Sequence, residues 1–385
     1  MVALVRRGMS MRAVARRFHV SLPTVQRWVK RAKGRRLDRV DWREHSSRPH
    51  RTRRTAAALE ELVLRVRQEL KEQSDLGEFG AAAIAREVTR RGLLSLPSVR
   101  TIGRILARRG VLDARRRLRR RPPPLGWYLP AVATRDAELD SFDVVEGLVL
   151  EGGPQVEVLT GITVHGGLVA AWPRLSVTAQ AIVDALLEHW HTWGLPAFAQ
   201  CDHDTRFQGP HQHADAVGRV IRLCLALDVV PVFAPPRETG FQAAIEGFNA
   251  QWQAKVWARF HHDSLPDLQG RSARSIAAHH RRAMARIEAA PPRRPFPRRW
   301  RRQLDAPLRG QMVYLRRTSE HGTVQLLGHT FTVDPLWPHR LVRCEVDLEA
   351  GSIAFYALRR REPSQQPLLR AAPFVLPQSV AARGR

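Results

Sequence analysis

At 385 residues, with 44% hydrophobic content, the chain is long enough for several domains with their own cores. It holds no run of 18 apolar residues that would make a spanning helix, and MVALVRRGMS lacks the apolar core of a signal peptide. Three scattered cysteines without a CxxC argue against a disulfide framework or a zinc finger and fit a reducing, cytoplasmic setting. The net charge of +27 is divided by sign: residues 1–134 carry +22, residues 135–262 carry −7 and residues 263–385 carry +12. Two basic flanks enclosing an acidic middle imply a polyanionic partner, because Lys and Arg that neutralise phosphates release counterions.

Residues 10–33 predict a helix-turn-helix. Ser10 suits an N-cap, Val14, Ala15 and Phe18 share a helical face, and His19-Val20-Ser21 makes the turn. The second helix, Pro23–Ala32, would pack Val25, Trp28 and Val29 inward and turn Thr24, Gln26, Arg27 and Lys30 towards base edges and phosphates. Helical periodicity resumes at Thr55–Leu70, Phe79–Arg91 and Ser98–Arg109, a second three-helix unit of the same kind. Its last helix would bury Val99, Ile102, Ile105 and Leu106 and present Arg100, Arg104, Arg108 and Arg109, with Gly110 as its stop. The run Arg115, Arg116, Arg117, Arg119, Arg120, Arg121, followed by three prolines, reads as an extended linker that tracks phosphates.

From Arg135 the pattern changes to strands. SFDVVEGLVL, VEVLTGITV and GLVAAWP are three consecutive β segments, followed by a helix Thr178–His191 and a strand Ala197–Cys201. A helix Arg219–Leu227, a strand Val229–Ala234 and a helix from Phe241 complete the order βββ-α-β-α-β-α of an RNase H-like core, with helices on both faces of a mixed sheet.

Three carboxylates punctuate this core: Asp143, Asp202 and Glu246. Two-metal phosphoryl transfer needs converging carboxylates, and hard oxygen ligands suit two Mg²⁺ or Mn²⁺ ions. Asp140 competes with Asp143 for the first place. The two fall on opposite faces of a period-two strand, and Asp143 on the site face puts Phe142, Val144 and Leu148 on the other. The converse would bury Asp143 unpaired beside Leu139 and Val145, at a cost on the order of several kcal/mol. Glu146 fits neither choice and suits a bulge. Glu238, in the Pro-rich approach to the last helix, is a weaker third carboxylate, and His203, His211, His213 and Asp215 match no common zinc spacing. Cys201 reads as strand packing, and His261, His262, His279 and His280 as surface residues. No GxxxxGK[ST] loop is present, so no nucleotide cofactor is expected.

DVVEGLVL with VLTGITVHGG, DHDTRF and PPRETGFQAAIEGFN together resemble the integrase core of DDE transposases, whose relatives are bacterial insertion-sequence transposases and retroviral integrases. Asp202 and Phe207 match the family's D-N-G-x-x-F element, and Glu246 its P-x-x-N/T-G-x-x-E-x-x-N element. His203 and Asp204 stand where that pattern has Asn and Gly, and 43 residues separate Asp202 from Glu246. The resemblance favours Asp143 as the first ligand. It implies a transposase that binds terminal inverted repeats, cleaves at element ends and joins them to target DNA as a homo-oligomer, with Lys255 as a further DNA contact. An inactive sequence-specific DNA-binding protein and a nuclease on the same fold are the alternatives.

Residues 271–302 hold eleven arginines and predict a helix, Ser275–Ala289, running into a Pro/Arg linker. Short alternating segments between Gly310 and Tyr356 suggest a small β-barrel. The expected division is a helix-turn-helix (1–36), a second helical DNA-binding unit (37–114), a basic linker (115–134), the RNase H-like core (135–290), a linker (291–306), a small barrel (307–361) and a tail (362–385).

Overall fold

The structure is a computed structural model that describes residues 1–43, 55–92, 97–112, 125–209, 214–236, 238, 240–360 and 362–377. The Arg115–Arg121 run, His211 and His213 lie outside the described residues. The chain forms two compact units, Met1–Ala57 and Ala58–Arg385.

In the first unit, α1 (Val2–Arg6), α2 (Met11–Arg17) and α3 (Leu22–Ala32) close on Val14, Val25 and Ala32, all fully buried. The Ser10 side chain caps α2 by accepting from the Ala13 amide. His19 takes a left-handed φ of 51° and turns the chain into α3. Phe18, expected inside, is exposed, because it lies past the last turn of α2.

The second unit begins with α4 (Ala57–Gln73), α5 (Ala81–Arg90) and α6 (Val99–Arg108), packed around Val63, Val66, Ile84, Val88, Ile102 and Leu106. Val99, expected inside, is exposed in the first turn of α6. A short α7 (Pro130–Ala133) leads into the core. There β1 (Leu139–Val149), β2 (Gln155–Thr163) and β3 (Val169–Arg174) form an antiparallel meander. After α8 (Ala179–Trp193), β4 (Phe198–Cys201) pairs parallel with β1. After α9 (Thr205–Gln208) and α10 (Arg219–Ala226), β5 (Val230–Phe233) pairs parallel with β4. Then come α11 (Ala243–Trp252), a π-helical turn (Gln253–Trp257) and α12 (Leu265–Glu288). The element order is the one expected of an RNase H-like core. Helices α8 and α10 cover one face of the sheet through Phe142, Leu186, Trp190 and Val220, while α11 and α12 cover the other through Val158, Ile245, Phe248 and Trp252.

The C-terminal strands correct the expectation of a barrel standing apart. β6 (Gln311–Arg317) pairs parallel with β5, and β9 (Leu341–Asp347), β10 (Ser352–Ala357) and β11 (Leu368–Pro373) extend the same sheet. The hairpin β7 (Thr323–Leu326) and β8 (His329–Thr332) forms a separate two-stranded ribbon. The sheet thus runs β11-β10-β9-β6-β5-β4-β1-β2-β3. β5 would otherwise end the core sheet with an unpaired edge, and β6 covers it. β11 falls in the stretch expected as a tail. No helix among the described residues is long and apolar enough to cross a membrane.

Candidate active site

Parallel pairing of β1 with β4 aligns Ser141 with Gln200, and carrying that register two residues on sets Asp143 level with Asp202. Asp143 Oδ2 accepts a 2.7 Å hydrogen bond from Asn249 Nδ2 on α11, and Asn249 Oδ1 accepts one of 2.7 Å from Thr160 on β2. Burial raises the Asp143 carboxyl to about 6, helped by the negative charges of Asp202 and Glu246. Asp202 is raised as well, first by burial, while its Oδ1 accepts from the Asp204 amide at 3.0 Å. Glu246, in the first turn of α11, is exposed. Among the described residues, no three His, Cys, Asp or Glu side chains come close enough together to hold a metal ion.

The two aspartates of β1 divide as their parity dictates. Asp140 is buried on the α8 face, where Arg293 grips both its oxygens at 2.6 and 2.8 Å and Trp190 Nε1 donates at 3.1 Å. The partner of Asp140 is an arginine 153 residues away, to which no local signal in the sequence pointed. The register of β1 on β2 shifts between Val145 and Leu148, which places the expected bulge at Glu146-Gly147, with Gly147 at φ 74°. The extra residue moves Leu148 onto the α11 face with Val145, not onto the Phe142 face.

The unusual residues of the Asp202 loop have named partners. Asp204 caps α9 through the Arg206 amide and binds the Arg206 guanidinium; Arg206 also reaches Glu146 at 2.5 Å and Glu157 at 3.5 Å. His203 joins Gln208 and Arg316 of β6, each at 2.7 Å. Glu238 is held by Arg317, which keeps its carboxyl below the usual range and off α11. Asp215 pairs with His329 at 2.9 Å. Burial pushes the Cys201 thiol well up, in keeping with a packing role. The surface reading holds for His261 but not for His262, which is buried against Trp257, nor for half-buried His279 and His280.

On α3, Gln26, Arg27 and Lys30 are exposed, Arg27 lies 5.8 Å from the Trp28 ring centroid, and the half-buried Thr24 shares a hydrogen bond with Ser21. On α6, Arg100 and Arg104 are exposed and have no acidic partner among the described residues, whereas Arg108 is bound by Glu60. Lys255 is turned to protein: its Nζ donates to the Gly77 carbonyl at 2.7 Å and lies 5.1 Å from the Phe79 ring centroid. Beside it, Arg259 donates to the Lys71 carbonyl at 2.7 Å, at the C-terminal end of α4, where unpaired carbonyls favour a cation.

A family model described as a homeodomain-like domain matches residues 1–40, the segment of α1 to α3. The first unit carries a homeodomain-like helix-turn-helix. Among solved structures, the chain is similar to the catalytic core domain of BIV integrase, at 14% identity over 36% of this chain and 81% of that one, with a TM-score of 0.27. It is similar to a chain of a simian T-cell lymphotropic virus intasome, at 12% identity over 77% and 96%, with a TM-score of 0.32. A third similarity is to the HTLV-2 integrase catalytic core domain in complex with magnesium, at 11% identity over 39% and 84%, with a TM-score of 0.27. The search of curated proteins finds no match.

Asn249 and Arg206 touch the candidate site, and the sequence reading gave neither a role. Asn249 had a usable signal, since it follows Glu246 by three residues and so shares its helix face. Arg206 had none, because its carboxylates come from β1, β2 and its own loop.

Proposed function

We propose that this chain is a DDE-type transposase that cuts DNA at the terminal inverted repeats of an insertion sequence and joins the ends to target DNA in the cytoplasm. The observation that carries this reading is the placing of two half-buried aspartates level with each other, Asp143 on β1 and Asp202 just past the end of the parallel strand β4, with the Glu246 helix tied to Asp143 through Asn249. The donor set fits a hard divalent cation: all three groups offer oxygen, and burial, with neighbouring negative charge adding to it, raises the carboxyls of Asp143 and Asp202. Asp143, Asp202 and Glu246 would hold two Mg²⁺ or Mn²⁺ ions. When bound, such ions activate the attacking oxygen and stabilise the leaving 3′-oxygen.

The protein's own groups orient these donors. Asn249 holds Oδ2 of Asp143, the Asp204 amide holds Oδ1 of Asp202, and Arg206 ties that loop to β1 and β2. Exposed Glu246 is free of tight packing and can turn its side chain inward. The homeodomain-like unit would read the repeats through Gln26, Arg27, Lys30 and Thr24, with Arg100 and Arg104 adding contacts from the second helical unit. Arg115–Arg121 would add phosphate contacts. Synapsis of two ends calls for a homo-oligomer.

In the full chain, Asp202→Ala and Glu246→Ala should each abolish Mg²⁺-dependent strand transfer and leave DNA binding intact; full activity in both would overturn the reading. One observation favours the alternative of an inactive DNA-binding protein, namely that Glu246 does not close on the two aspartates. That alternative expects specific binding with no nicking in Mg²⁺ or Mn²⁺. Nicking without joining would point instead to a nuclease.

A further inference from the structure

The stretch 291–306, expected as a linker, is from Arg293 onward a strap laid over α8 and α10. Arg293 grips Asp140, and Arg294 donates to the carbonyls of Leu227 and Asp228 at 2.9 and 2.6 Å. Phe296 stacks on His191 with ring centroids 3.6 Å apart, and Trp300 Nε1 donates to the Ala226 carbonyl at 3.3 Å. Arg302 binds Asp184 at 2.8 Å, and the Leu304 carbonyl accepts from Arg222 at 3.2 Å. Arg298, Arg299 and Arg301 lie between these anchors, exposed and without an acidic partner among the described residues. Arg298 and Phe296 also line a cavity of about 490 Å³ with His191 and Trp193. A free run of arginines would be a solvated coil. Here the side chains of Phe296, Trp300 and Arg302 anchor the chain on either side of these guanidinium groups, so less ordering of the segment remains to be done when a polyanion binds.

Its place is the informative part. The strap meets the sheet where β4 begins, through the Leu195–Arg294 bridge, whereas Asp202 follows the other end of β4. At strand rise that separation is roughly 20 Å. The strap also lies over the Trp190 face, while Asp143 reaches Asn249 on the opposite face. Duplex DNA, with a persistence length of about 50 nm, does not readily turn around the end of one sheet to touch both.

We propose that Arg298, Arg299 and Arg301 form a surface for the phosphate backbone of a duplex DNA segment other than the one at Asp143 and Asp202 of the same copy. This goes beyond the strand-transfer reading and does not need it, since an inactive core would carry the same surface.

The test measures binding of the full chain to a short duplex of arbitrary sequence, without divalent metal, at about 50 to 200 mM salt. Changing Arg298, Arg299 and Arg301 together to Gln should shrink the slope of log affinity against log salt by about 2 to 3, and Arg299→Gln alone by about 1. The triple Lys variant should keep the wild-type slope. At saturation in low salt, the triple Gln variant should bind fewer short duplexes per chain than wild type. An unchanged slope, an unchanged stoichiometry, or an equal slope change from Gln at the exposed Arg135, Arg274 and Arg340 would overturn the proposal. Absence of catalysis in every assay would sink the strand-transfer reading and leave this result untouched.

Discussion

Asp140 and Asp143 stand three residues apart on β1 and have opposite surroundings. Around Asp140 the fold supplies a bidentate arginine and an indole N–H. Around Asp143 it supplies the side-chain amide of Asn249 and the backbone N–H of Val144, and the acid is raised to about 6 first by burial and then by the negative charges of Asp202 and Glu246. The carboxylate that serves the fold is given its counter-charge, whereas Asp143, the first ligand of the proposed site, is given hydrogen bonds but no cationic partner among the described residues. The same division follows from strand parity, since alternate side chains of β1 face α8 and α11.

The largest way to break this contrast is to remove the counter-charge. Arg293→Met strands Asp140 in the core and should cost about 3–5 kcal/mol in urea unfolding, while Arg293→Met with Asp140→Leu should recover much of that loss. Equal stability of the single variant and wild type would mean that the pair is not what neutralises Asp140.

On the other face the expected sign is reversed. Because the folded Asp143 titrates near 6 against an ordinary value of 3.8, the native state binds the extra proton between those values, and stability from this group falls as pH rises through that window. Asp143→Asn should therefore stabilise the protein at pH 7 by up to about 2 kcal/mol and have no such benefit at pH 4. A uniform loss at both pH values would contradict the assignment.

His189, buried beside Asp140 with Nε2 3.9 Å from its Oδ2, sharpens the comparison. Burial holds its imidazole down to about 4, so the unfolded chain binds the extra proton between 6.5 and 4, and this contribution is lost as pH falls through that range. His189→Gln should reduce the acid sensitivity of unfolding by on the order of 2 kcal/mol across that window, opposite in sign to the Asp143 variant. A variant as acid-sensitive as wild type would remove His189 from the account.

The smallest effects concern DNA contacts. Arg100→Ala with Arg104→Ala should lower the salt slope of DNA binding by about 2, whereas Lys255→Ala should leave it unchanged, because Lys255 is spent on the Gly77 carbonyl. A slope change of about 1 in the Lys255 variant would show that it leaves Gly77 for phosphate.

Much of the core was legible because its signals are local. Alternation marked β1 to β3, apolar spacing marked α8 and α10, and Asp143, Asp202 and Glu246 stood out among apolar neighbours. Ser10 and the His19 turn were read from neighbours alone. What escaped was long-range pairing. Arg293 reaches Asp140 across 153 residues, Arg316 reaches His203 across 113 and Asn249 reaches Asp143 across 106, and no periodicity encodes such partners. The barrel expectation failed for the same reason: five short strands look alike whether they close on themselves or, as β6 does, add to the edge of another sheet. The bulge in β1 was foreseen from Glu146, yet its effect on Leu148 depended on which residue was extra.

The most direct test of the central claim is a strand-transfer assay on the full chain in Mg²⁺, comparing wild type with Asp143→Asn and with Asp140→Asn. Loss of joining to background in Asp143→Asn, with DNA affinity kept and with activity persisting in whatever fraction of Asp140→Asn folds, is the result expected. Joining at the wild-type rate in Asp143→Asn would contradict the account.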